Sequence, residues 1–103
     1  MQLITEYRKG ILFVRLIGRL VDSDYLNQID CLVNEFGIKC VVLNINNINC
    51  ISLEDINHIK KYNNRILKKK KYLLICASNS RWRRVFKIII SNIDSELDAF
   101  SLI

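Results

Sequence analysis

The period of the apolar positions changes along this chain, and each change predicts a new element. Leu3–Arg8 and Ile11–Leu20 read as two strands joined by Lys9-Gly10, a turn of hairpin length. In the second, Leu12, Val14 and Leu16 alternate with Phe13, Arg15 and Ile17, as in a partly covered strand. Asp22-Ser23-Asp24 then offers helix caps, and Tyr25, Ile29, Leu32, Val33 and Phe36 recur at helical spacing. Gly37 stands where a glycine closes a helix. Ile38–Ile45 is almost wholly apolar, the pattern of a strand buried on both faces.

A second helix is predicted after that strand. Ser52 occupies its N-cap, and Glu54 and Asp55 suit the positive end of its dipole. Ile56, Ile59, Tyr62 or Asn63, and Ile66 form its apolar face, which leaves Lys60, Lys61, Asn64 and Arg65 toward water. Tyr72–Ala77 is another buried strand. Ser78-Asn79-Ser80 caps a third helix carrying Trp82, Val85 and Phe86, and Ser95–Phe100 opens a short terminal one. The order β-β-α-β-α-β-α-α predicts an α/β fold, a mixed four- to five-stranded sheet with helices packed on it.

Composition narrows this further. With 103 residues, half of them hydrophobic, residues 1–103 make a single domain with a modest core. No apolar run approaches the ~20 residues that span a bilayer, and Met1–Tyr7 lacks the grammar of a signal peptide. A cytoplasmic protein without a membrane partner is expected. Cys31, Cys40, Cys50 and Cys76 are widely spaced, and His58 is the single histidine. Buried reduced thiols are expected rather than bridges or a zinc site, and neither a metal nor a cofactor is implied.

The net charge of +6 is unevenly placed. Residues 56–91 hold eleven basic residues and no Asp or Glu, dominated by Lys68–Lys71 and by Arg81, Arg83 and Arg84 around Trp82. Such a stretch suits nucleic acid, an anionic membrane surface or an acidic partner. Equally, 17 Ile, 11 Asn and 9 Lys are the bias of an A·T-rich genome, for which a solvated lysine run needs no function.

Several motifs in order resemble the STAS domains of bacterial anti-sigma factor antagonists. Leu16-Ile17-Gly18-Arg19-Leu20-Val21-Asp22 is similar to the family's strand-ending "L-x-G-x-L-D", with Asp22 one place late. Val41-Val42-Leu43-Asn44-Ile45 matches its "V-x-L-N/D-L" strand. Cys76-Ala77-Ser78-Asn79, the Trp82–Phe86 stretch and Ser95–Phe100 match its later strand and helices. The resemblance spans essentially the whole chain and implies a protein-interaction module that binds an anti-sigma factor which is also a serine kinase. Phosphorylation of one serine in the loop before the second helix then adds about −1.5 to −2 charge and separates the partners.

The departure falls on that loop. In ungapped register Ser52 takes the place of the family's Asp, Leu53 that of its phosphorylated Ser, Glu54 that of the next Ser or Thr, and Asp55 that of the Gly. The resemblance therefore implies a partner surface of Asp22, Ser52, Leu53, Glu54, Asp55, Ile56 and Lys60, with Lys61 beside it, but no acceptor hydroxyl at 53. Constitutive binding is the favoured consequence, with Leu53 as an apolar anchor. Phosphorylation of Ser52 as a displaced acceptor and loss of partner binding are the alternatives. The competing class is a nucleic-acid-binding domain using Lys68, Lys69, Lys70, Lys71, Arg81, Arg83 and Arg84, for which no RNP, GXXG or helix-turn-helix pattern speaks. Catalysis is not expected, since the three glycines are isolated and no nucleophile–base set surrounds His58.

Overall fold

A computed structural model describes residues 1–20, 24–78, 84, 86, 91–93 and 95–102. The first two strands, β1 (Gln2–Arg8) and β2 (Ile11–Gly18), form the expected antiparallel hairpin. Lys9 (φ 51°) and Gly10 (φ 84°) both adopt left-handed backbone at its turn. That geometry matches the natural twist of paired strands. Strand β3 (Cys40–Ile48) lies parallel to β2, and β4 (Tyr72–Cys76) parallel to β3. A short fifth strand, β5 (Ser91–Ile93), adds to the far edge, so the sheet order is β1-β2-β3-β4-β5.

Parallel neighbours require crossovers, and helices α1 (Asp24–Phe36) and α2 (Leu53–Leu67) supply them. Both pack on one face of the sheet. Leu12, Val14, Leu16, Val41, Leu43, Ile45, Leu73 and Ile75 meet Tyr25, Ile29, Val33, Ile59, Tyr62 and Ile66 there. On the opposite face Ile11, Phe13, Cys40, Val42, Leu74 and Cys76 form a smaller core, closed by Ala99 with Phe100 packed against it. Both belong to a final helical turn, α3 (Ala99–Leu102), which follows a 3₁₀ turn (Glu96–Asp98).

Two sequence expectations shift, on the face of α1 and on the cysteines. In α1 the buried residues are Tyr25, Leu26, Ile29 and Val33, whereas Leu32 is half-buried and Phe36 is 59% exposed. The chain turns toward β3 at Gly37 (φ 61°), so the last residue of α1 overhangs the sheet. Of the four free thiols only Cys40 and Cys76, on β3 and β4, are buried. Cys31 and Cys50 are exposed, on the outer side of α1 and in a loop. Of the expected third helix, Arg84 and Phe86 are helical, with Phe86 fully buried, while Trp82 and Val85 lie outside the described residues. Both Tyr62 and Asn63 are buried, so α2 uses the two alternatives together.

Leu43, fully buried beneath the helices, should lose about 3 kcal/mol of stability on Leu43→Ala, whereas Phe36→Ala should stay within about 0.5 kcal/mol. Urea unfolding of the two variants checks the pair.

Candidate functional site

Strand β3 delivers the loop of interest to the C-terminal end of the parallel strands. Asn49 N donates to Gly18 O at 2.8 Å, which anchors the loop to the end of β2. Cys50 is exposed, while Ile51 and Ile56 are half-buried and pack against the helix-side core, pinning the loop from both ends. Ser52 then caps α2 as expected. Its Oγ accepts from Asp55 N at 3.1 Å, and Asp55 Oδ2 accepts from Ser52 N at 2.9 Å, a reciprocal capping box.

The helix start is thereby held rigid, and it lifts Leu53 into solvent at 80% exposure. Beside Leu53, the Glu54 carboxylate is also exposed and stands 3.9 Å from His58 Nε2. The start of α1 lies alongside. Burial raises the pKa of Tyr25, and the Asp55 carboxylate raises it further. Ser52–Ile56, which the resemblance implies for a partner, thus form one contiguous helix start. Lys60 follows on α2 and is half-buried rather than water-facing, whereas Lys61 is exposed. Asp22 lies outside the described residues.

Farther along α2, a shallow groove of about 230 Å³ runs between the helices, lined by Leu26, Asn27, His58, Lys61, Tyr62 and Arg65. Its floor is fixed by Tyr62, whose hydroxyl donates to Asp30 Oδ1 at 3.4 Å and whose ring lies 5.0 Å from the Arg65 guanidinium carbon. Burial is the main cause raising the Tyr62 pKa, and Asp30 adds to it.

Of the residues of the nucleic-acid alternative, the four lysines are not on this surface. Lys68–Lys71 form the turn after α2, at the other end of the sheet, about 20 Å away by the rise of the intervening helix. Arg84 is exposed, and Arg81 and Arg83 lie outside the described residues. Among the described residues no helix is long and apolar enough to cross a membrane, and no cluster of His, Cys, Asp or Glu could hold a metal ion.

A polar cluster on the opposite face of the sheet was not foreseen. Arg15 and Asn44 are ladder neighbours in β2 and β3, just before the pairing of these strands shifts register. Arg15 Nε and Nη2 donate to the two oxygens of Glu96 at 2.9 and 2.7 Å, and Asn44 Nδ2 donates to Glu96 Oε2 at 2.9 Å. Nη2 of Arg15 also reaches Glu6 Oε1 at 3.1 Å. The hydrogen bond from Arg15, with help from Asn44, holds the Glu96 carboxyl below its usual pKa against the opposing effect of burial. A charged residue inside the apolar run Ile11–Leu16 was the available signal, but the partner is 81 residues away.

With this geometry in view, comparison with known proteins is informative at the level of fold. No protein-family model and no curated protein matches the sequence. Solved structures do. The chain aligns over 98% of its length with 96% of the anti-sigma factor antagonist SpoIIAA in its unphosphorylated form, at TM-score 0.79 and 12% identity. An anti-sigma factor antagonist from Mycobacterium paratuberculosis matches at TM-score 0.80 and 13% identity, over 98% of this chain and 92% of that one. The NMR structure of the protein TM1081 matches at 0.76 and 11%, over 98% and 87%. The class of fold is STAS-like. More narrowly, it is the fold of the SpoIIAA-type anti-sigma factor antagonists.

Two outcomes test the energetics of the site. Ser52→Ala should cost about 1 kcal/mol in urea unfolding, because it releases the capping box. Glu96 stabilises the fold fully above its unfolded pKa of about 4.3, and that contribution is lost as pH falls through the lower folded value. Glu96→Gln should therefore lower stability at neutral pH by about 1–2 kcal/mol and flatten the acid limb of the stability profile.

Proposed function

We propose that this chain is a protein-interaction domain that docks an anti-sigma factor, or a related serine kinase, on the Ser52–Ile56 helix start and the adjoining Lys60. In this reading docking is constitutive and the domain is not a catalyst. The observation that carries it is Leu53, an exposed leucine presented by a rigid capped helix start where the resembling family carries its phosphorylated serine. An exposed apolar side chain held in one place makes a good anchor for a partner's pocket. Glu54 and Asp55 add fixed negative charge beside it, and the Ser52 hydroxyl is engaged with a backbone amide. The fold shared with two anti-sigma factor antagonists supports the partner class. The reading implies a bacterial, cytoplasmic protein in transcription regulation.

The test is capture of the partner from the native lysate with and without ATP, followed by the intact mass of the bait and titration of the purified pair. Leu53→Ala should weaken binding at least tenfold while leaving the melting temperature unchanged, since the side chain is 80% exposed. ATP should leave the bait mass unaltered. Leu53→Ser should restore a phosphoacceptor, gain one phosphate from a kinase partner and then release it. A phosphate on the unaltered chain that disappears in Ser52→Ala overturns constitutive docking, and partner affinity indifferent to Leu53 overturns the surface.

A further inference from the structure

Three turns meet at the end of the sheet opposite the docking loop. Strands β2, β3 and β4 begin in register, Ile11 beside Cys40 and Cys40 beside Tyr72. The residues that precede them are therefore neighbours. Lys39 N donates to Gly10 O at 3.3 Å, and Tyr72 N donates to Lys39 O at 3.0 Å. This gathers Lys9, Lys39 and Lys68–Lys71 from three separate turns, and all but the half-buried Lys71 are exposed. The same end carries Glu35 in the last turn of α1, and Glu6 is held by Arg15 and Arg8. Complementing the dipole of α2 accounts for a lysine or two after that helix, and the Lys9 amine lies 5.8 Å from the Phe100 ring, but neither accounts for Lys39.

Two of these lysines occupy strained backbone. Lys9 (φ 51°) and Lys70 (φ 60°) are the non-glycine residues with left-handed conformation among those described. Glycine or asparagine is the low-cost choice at such positions. Asparagine codons are as A·T-rich as lysine codons, and this chain uses asparagine freely. Genome bias alone therefore does not explain lysine at both places. A positive charge stands where the backbone disfavours its side chain in two turns distant in sequence, one on either side of the Lys39 turn.

Apolar side chains flank the charge. Phe36 ends α1 at 59% exposure, Leu67 ends α2 at 45%, and Tyr72 opens β4 at 56%. Lysines are compact, hydrated point charges rather than bidentate phosphate forks, and exposed aromatic and aliphatic tips suit the headgroup boundary of a bilayer. We propose that this end is a peripheral docking surface for an anionic lipid bilayer, leaving the Leu53 loop pointing away from the membrane. The sequence expectation of no membrane partner rested on the lack of a spanning segment, and peripheral attachment needs none.

The experiment is co-sedimentation of the full chain with phosphatidylglycerol–phosphatidylcholine vesicles and with pure phosphatidylcholine vesicles, at about 0.15 M salt and at several-fold higher salt. Binding is expected to the anionic vesicles alone and to fall as salt rises. Each lysine near the surface is worth about fivefold. Lys9→Gly and Lys70→Gly relieve strain and so keep the fold, yet each should weaken binding several-fold. Lys39→Ala should do the same from the third turn, and Lys60→Ala should not. Equal binding to neutral vesicles, no binding, or indifference to Lys9, Lys39 and Lys70 overturns the proposal. Retention of single-stranded RNA or duplex DNA by the same lysines, with no vesicle binding, overturns it in favour of a nucleic-acid surface. None of these readouts depends on Leu53 or on an anti-sigma partner.

Discussion

Strand β3 is the constraint on which the structure turns. It lies between parallel neighbours and is buried on both faces, so both faces of the sheet need covering. Parallel pairing cannot be closed by a hairpin, which obliges α1 and α2 to cross over and bury one face. The opposite face is left to the C-terminal segment, where Ala99 and Phe100 cover Phe13 and Val42. The Phe13 and Phe100 rings lie 5.7 Å apart. The far end of β3 is then the natural place for a rigid, exposed loop, because a well-packed strand feeds directly into a capped helix.

That same strand direction separates the molecule into two chemically different ends. Where the parallel strands finish, Glu54, Asp55 and an exposed Leu53 surround a capped helix start. Where they begin, lysines from three turns converge. Polarity of this kind is a consequence of topology: each crossover helix returns the chain to the starting end, so successive turns accumulate there. Residues of like charge scattered along the sequence can then form one surface.

The Arg15–Glu96–Asn44 cluster shows how the second face is secured. A bidentate guanidinium–carboxylate pair is directional, and here the carboxylate also accepts from an asparagine on the neighbouring strand. It fixes the C-terminal turn over the sheet more specifically than the contacts of Ala99 and Phe100 alone. Burial pushes the Cys40 thiol up to about 11 in the same layer, consistent with an inert packing role.

Local pattern was enough for much of this protein. The hairpin at Lys9-Gly10, the doubly buried strand, the Ser52 cap and both crossover helices follow from periodicity and turn chemistry, which depend on near neighbours. The position of Leu53 at the head of α2 was legible for the same reason. Its exposure was implied by the resemblance alone and not by local pattern, since it depends on how the loop is anchored through Asn49 to Gly18 and through Ile51 and Ile56 to the core. Phe36 reads as a core residue by spacing and overhangs the sheet because of where α1 ends. The partner of Arg15 and the meeting of Lys9, Lys39 and Lys70 were likewise out of reach. Strand register and crossover geometry join residues that no local periodicity relates, and tertiary structure alone decides which distant charges become neighbours.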